Sequence, residues 1–85
     1  MKLFKIYQDI NTGYDTFRSA VVVANSAEEA QNIHPGGGSG SFDMYESWVS
    51  RPDLVEVLYL GEVSHSILDK DIYPGAVICA SFNAV

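Results

Sequence analysis

Cysteine, positive charge and long apolar runs are all scarce in this 85-residue chain. One cysteine excludes a disulfide within the chain, and such usage is typical of a reducing compartment. No apolar run approaches the roughly 18 residues that a membrane-spanning helix needs. The first residues also lack the apolar stretch and cleavage site of a secretory signal. We therefore expect a protein of the cytoplasm with no membrane partner.

Basic residues are the most informative shortage. Five Lys and Arg residues stand against eleven Asp and Glu, which gives a net charge of −6. Because nucleic-acid backbones are bound mainly through Lys and Arg, we expect no direct nucleic-acid binding. Residues 28–71 hold nine acidic and two basic residues, a net charge of −7. This segment favours a basic protein surface as partner, although an acidic protein without such a partner has the same composition.

The chain does contain enough apolar material for one small core. Apolar residues make up 47% of the sequence and charged residues 19%, a balance typical of globular proteins. A chain of this length accommodates one core, so residues 1–85 are predicted to form a single domain. The glycine-rich residues 36–41 are predicted to be a flexible linker inside that domain.

Four segments have the composition of β-strands. Residues 2–8 and 16–24 are rich in aromatic and β-branched side chains, and the turn formers between them predict an antiparallel hairpin. Residues 55–63 predict a third strand with a bulge near its glycine. Residues 76–82 are apolar on both faces, which indicates a strand in the interior of the sheet.

One short helix is predicted between the second and third strands. Ser26, Glu28 and Glu29 fit a capping box followed by acids in the first turn, and Pro35 limits how far the helix extends. The order is β-β-α-loop-β-β. It predicts an α+β fold: a four-stranded, mostly antiparallel sheet with one short helix on one face.

Residues that could carry catalysis or hold a metal form no recognisable pattern. His34, His65 and Cys79 lack the spacing of a metal site. His34 is expected to bond the last carbonyls of the helix, and Cys79 to be a buried, inert thiol. The glycine run lacks the Lys-Ser/Thr that follows a phosphate loop. We therefore predict no catalytic residue, no metal and no cofactor, hence a protein that is not an enzyme.

Aromatic and acidic side chains alternate after the glycine run and predict a partner-binding surface, because Trp and Tyr contribute much of the energy at interfaces. The candidate partner-binding residues are Phe42, Asp43, Tyr45, Glu46, Trp48 and Asp53. The alternative is that the aromatic side chains fold back as a lid over the open face of the sheet. A mixed outcome, with Trp48 packed and Tyr45 or Phe42 exposed, is the third expectation.

Several blocks covering most of the chain are similar to a known group of proteins. They are residues 2–17, 19–24, 28–30, 33–35, 57–62 and 75–84. In these blocks the chain resembles short accessory proteins of tailed bacteriophages and prophages. The resemblance implies no activity or functional residue. It implies production in an infected bacterium, where accessory proteins of this size often inhibit host factors, including CRISPR–Cas defence.

The leading hypothesis is a non-enzymatic protein that binds and inhibits a bacterial host protein, in particular a nucleic-acid-handling or defence complex, by steric and electrostatic occlusion. The alternative is a protein that sequesters a nucleotide signal, with aromatic rings stacked on the base and glycine N–H groups holding phosphate. A homodimer is compatible with both, since an open sheet leaves edges that a second copy can cover.

Overall fold

The computed structural model describes residues 1–36, 47–63 and 72–83. Four strands form one antiparallel sheet in the order β3-β1-β2-β4. The elements are β1 (Lys2–Tyr7), β2 (Thr16–Ala24), α1 (Ala27–Gln31), a 3₁₀ turn (Pro52–Leu54), β3 (Glu56–Glu62) and β4 (Val77–Asn83). The α+β class and the predicted element order are confirmed. No helix in the described ranges is long and apolar enough to cross a membrane.

The β1–β2 hairpin forms the centre of the sheet. Its antiparallel register runs from Lys2 opposite Ala24 to Tyr7 opposite Ser19, which confirms the predicted hairpin. Because side chains alternate along a strand, Phe4 and the residues two positions away from it share the face that is covered by α1.

Helix α1 begins at the predicted capping box. The Glu29 N–H donates to Ser26 Oγ at 3.2 Å, and the Glu29 carboxylate accepts from the Asn25 N–H at 2.9 Å. The helix ends at Gln31, before Pro35 would force it to end. A helix this short is not stable alone, so its packing on the sheet maintains it.

The main core lies between the sheet and α1. Its buried residues are Phe4, Ile6, Ala20, Val22, Ala24, Ala30, Ile33, Trp48, Val49 and Val55. A smaller cluster on the opposite face joins Val23, Val63 and Ala76. Of the predicted linker at residues 36–41, the structure describes only Gly36.

The predicted interior position of the last strand is wrong. Strand β1 pairs with both β2 and β3, and β4 pairs with the remaining side of β2, so β4 is an edge strand among the described strands. Residues 78–82 are consequently exposed. A strand with apolar side chains on both faces can lie in the interior of a sheet or at its edge. The pattern therefore did not distinguish these two positions.

Candidate protein-binding surface

The structure describes two of the six predicted partner-binding residues. Phe42, Asp43, Tyr45 and Glu46 lie outside the described residues, whereas Trp48 and Asp53 lie within them.

Trp48 is part of the core. Its side chain is 2% exposed and is the largest of the fully buried side chains. The backbone around it is held in place, because the Trp48 carbonyl accepts from Asn11 Nδ2 at 2.9 Å and the Ser47 carbonyl accepts from the Phe17 N–H at 2.7 Å. In this fold the Trp48 side chain offers no surface to a partner. Its position agrees with the interpretation in which Trp48 packs into the core.

Asp53 lies on the surface in the 3₁₀ turn. Its Oδ1 is 3.3 Å from Arg51 Nε, and both side chains are about two-thirds exposed, at 68% and 66%. Ion pairs this exposed contribute little to stability, because water screens them and both side chains lose rotamer freedom. Asp53 therefore remains accessible to a partner.

Acidic side chains are concentrated on the side of the molecule where α1, the 3₁₀ turn and β3 meet. We call this surface the acidic side; its exposed carboxylates belong to Glu28, Glu29, Asp53 and Glu62. Glu56 is exposed as well, but it lies opposite Tyr7 and so on the other face of the sheet. Helix α1 contacts β3, and Gln31 Nε2 donates to the Val55 carbonyl at 3.2 Å just before β3 begins. Packing of the helix thus brings together carboxylates that are far apart in the sequence.

A groove of about 530 Å³ runs between α1 and β3 on the acidic side and is lined in part by Lys2, Ser26, Tyr59 and Glu62. The Tyr59 hydroxyl donates to Glu62 Oε1 at 3.0 Å. This hydrogen bond to a carboxylate raises the pKa of Tyr59 above its usual 10, because it stabilises the protonated phenol. The groove presents a phenol beside one carboxylate, that of Glu62, to a ligand.

The opposite face of the sheet is partly open. The strand registers place Leu58, Lys5, Val21 and Cys79 in one row across the four strands. Lys5 Nζ lies 5.5 Å from the centre of the Tyr7 ring, a cation–π distance. A shallow depression of about 200 Å³ is lined in part by Lys5, Val21 and Cys79.

Cys79 is exposed, so the expectation of a buried thiol is wrong. The reason is the edge position of β4. A cysteine nucleophile needs a neighbouring base, and the residues that line the depression include no His, Asp or Glu. In the described part of the chain, no group of three or more His, Cys, Asp or Glu could hold a metal ion.

His34 has a structural role. Its Nδ1 accepts from the Gly36 N–H at 2.9 Å. Its Nε2 lies 3.4 Å from Ser47 Oγ, and burial lowers the pKa of His34 below its usual 6.5, because desolvation disfavours the charged ring. A neutral ring that accepts a hydrogen bond at Nδ1 carries its proton on Nε2. The Nε2–H group therefore donates a hydrogen bond to Ser47 Oγ.

Gln8 is a buried polar residue that the sequence analysis missed. Its amide nitrogen donates to the carbonyls of Asn11 and Phe17 at 2.6 and 2.9 Å. Its amide oxygen accepts from the N–H groups of Ile10 and Asn11 at 2.8 and 2.7 Å. A signal was present, because Gln8 continues the core-facing alternation of Phe4 and Ile6 immediately before turn-forming residues.

Comparisons with known proteins find no counterpart: no family model, no curated protein and no solved structure matches the chain. The charge and surface of the chain itself are therefore the basis for assigning its function.

Proposed function

We propose that this chain is a non-enzymatic protein that binds a basic surface of a bacterial host protein, in particular a nucleic-acid-handling or defence complex, and inhibits it. The observation that carries this proposal is the acidic side, where four exposed carboxylates lie around the junction of α1, the 3₁₀ turn and β3. The bacterial setting follows from the resemblance to bacteriophage accessory proteins.

The acidic side has few cations to balance it. Lys2 lies opposite Glu62 in the β1–β3 register, and Arg51 already pairs with Asp53. The remaining carboxylates create a negative field that extends over about 8–10 Å at physiological salt. Such a field accelerates encounter with a basic surface and has the same sign as the phosphates that a nucleic-acid-binding protein recognises. Occupation of that surface excludes the nucleic acid.

Four predicted contacts belong to this proposal on the basis of sequence alone. Phe42 and Tyr45 supply aromatic area to the interface, and Asp43 and Glu46 add negative charge beside them. Asp53 contributes a carboxylate from the acidic side itself. Trp48 supports the surface from within the core and does not contact the partner.

A nucleotide signal is the less suitable ligand. The groove between α1 and β3 and the surface of the α1 first turn both include glutamate side chains, which repel phosphate. Only Lys2 among the residues lining these two depressions is a cation. The charge of these two depressions thus favours a basic protein over an anionic small molecule.

We predict that neutralising the acidic side weakens capture of the partner about tenfold, or roughly 1.4 kcal/mol. The test variant carries Glu28→Gln and Glu62→Gln, and the matched control carries Asp9→Asn and Asp15→Asn, so each loses two of the eleven acids. Asn is chosen at position 15 because it tolerates the φ of 62° there. Each immobilised protein is exposed to bacterial lysate at low salt, and captured proteins are quantified by mass spectrometry.

The expected pattern is one basic protein recovered near stoichiometric amount by the wild type and by the control, and strongly depleted with the test variant. Circular dichroism melts of all three proteins verify that the fold is unchanged. Equal depletion with both variants would show that only total charge matters and would refute a role for the acidic side. A wild-type bait that recovers nothing at low salt would refute the protein partner.

A further inference from the structure

The two edges of the described sheet differ in how they resist pairing with another strand. Strand β3 has a glutamate at each end, and its register with β1 shifts opposite Leu3 and Phe4. Gly61, beside this bulge, has a φ of 153°. Charges and bulges on an edge strand are the features by which natural sheets prevent edge-to-edge association. The β3 edge is therefore protected.

Strand β4 shares the irregular pairing, since its register with β2 shifts between Phe17 and Ser19 and between Val21 and Val22. Unlike β3, it has no charge, and it has no proline. Its seven residues, Val77–Asn83, are VICASFN, and residues 78–82 are all exposed. Within the described ranges no strand lies on its outer side. An uncharged, exposed apolar edge is the form of strand that accepts another strand by backbone hydrogen bonding.

The backbone of β4 presents hydrogen-bonding groups outward at Ala80. The Gln8 N–H donates to the Arg18 carbonyl at 3.2 Å, so Arg18 directs its carbonyl towards β1. Backbone direction alternates, so Ala20, two residues later, also faces β1, where it lies opposite Ile6. Ala20 and Ala80 therefore form a pair without mutual hydrogen bonds, and the N–H and C=O of Ala80 point to the outer edge.

We propose that the outer edge of β4 pairs antiparallel with β4 of a second copy of this chain, about a two-fold axis at Ala80, to join two sheets into one of eight strands. Charge selects the place, and the sequence of β4 selects the occupant. Each copy has a net charge of −6, so two copies repel wherever their acids meet. Strand β4 carries no charge and lies at the edge farthest from β3 and its glutamates, so contact between copies costs least there.

The sequence of β4 is complementary to itself in this register. With Ala80 opposite Ala80 of the second copy, Ile78 faces Phe82, and the symmetry repeats this pair on the other side of the axis. Ile78 and Phe82 are 46% and 45% exposed in the single chain. Pairs of a β-branched and an aromatic side chain are among the more stabilising cross-strand pairs. A closed two-fold interface also leaves no further edge of the same kind exposed.

This inference does not depend on the proposed function. It leaves the acidic side of each copy free, so the dimer presents two acidic sides to a partner. If the protein is dimeric but captures no basic partner, the dimer stands and the proposed function fails. If a monomeric protein captures a basic partner, the proposed function stands and the dimer fails.

Charge exchange at Ala80 tests the interface. In sedimentation velocity we expect the wild type to be dimeric, and the Ala80→Lys and Ala80→Glu variants each to be monomeric, because like charges then oppose each other across the axis. An equimolar mixture of the two variants should restore the dimer, and added salt should weaken it. The control is Leu58→Lys, which adds a charge at a 51% exposed position on the open face next to β1 and should remain dimeric.

Hydrogen exchange on the unmodified protein provides a second readout that needs no variant. Exchange of the Ala80 amide should slow as protein concentration rises, while the amides of β3 should not respond. A wild type that is monomeric up to about 1 mM would overturn the proposal. So would dissociation by Leu58→Lys alone, which would place the contact on the open face, or folded Ala80 variants that fail to recombine.

Discussion

Replacement of Trp48 by alanine is expected to lower the free energy of unfolding by about 3–5 kcal/mol, because it empties the largest side-chain site in the core. A small domain has a total stability of about 5–15 kcal/mol, so this change consumes much of it. The measurement is urea denaturation followed by far-ultraviolet circular dichroism, since the chain has one tryptophan and its fluorescence disappears with the substitution.

Trp48→Phe is the matched control. It keeps most of the apolar volume and removes the indole N–H, a buried donor that has no hydrogen-bond partner among the described residues. Because that donor contributes no hydrogen bond, we expect a cost below about 1.5 kcal/mol. A cost below about 1 kcal/mol for Trp48→Ala would contradict the buried position and would make Trp48 available again as a contact for the partner.

Replacement of Gln8 by alanine is expected to cost about 2–4 kcal/mol, because four hydrogen bonds of the β1–β2 loop end on this one side chain. Two carbonyls and two N–H groups, from Ile10, Asn11 and Phe17, lose their bonds to this side chain. The same denaturation experiment measures the loss, with tryptophan fluorescence as a second probe.

Gln31→Ala is the control for this second variant. Its side chain donates one hydrogen bond, to the Val55 carbonyl at 3.2 Å, so we expect a cost of about 1 kcal/mol. Gln8→Glu gives a further distinction: it keeps the acceptor for the two N–H groups but places a carboxylate against two carbonyls, so it should also destabilise. Equal costs for Gln8→Ala and Gln31→Ala would show that the Gln8 bonds do not hold the loop.

The parts of the fold that local patterns encode were predictable. The helix start depends on Ser26 and Glu29, which are three residues apart, and the β1–β2 hairpin depends on two neighbouring strands with turn formers between them. The position of β4 was not predictable. It depends on β3 pairing with β1, a contact between distant segments, and the exposure of Cys79 follows from the same pairing.

The candidate surface shows the same division. An excess of acids over residues 28–71 is visible in the sequence, but their gathering on one side requires α1 to pack against β3. Trp48 fitted two interpretations, because an aromatic residue after a linker has the same local sequence in a core and at an interface. Gln8 could have been found, since it extends the core-facing alternation of β1.

Competition between this protein and nucleic acid for the captured partner tests the central claim most directly. The partner is bound to a fluorescent nucleic acid, this protein is titrated in, and anisotropy is followed at low and at high salt. The account predicts that the nucleic acid is released, that release weakens as salt rises, and that Glu28→Gln with Glu62→Gln reduces it about tenfold. A stable ternary complex, in which this protein is bound while the nucleic acid stays in place, would contradict the account.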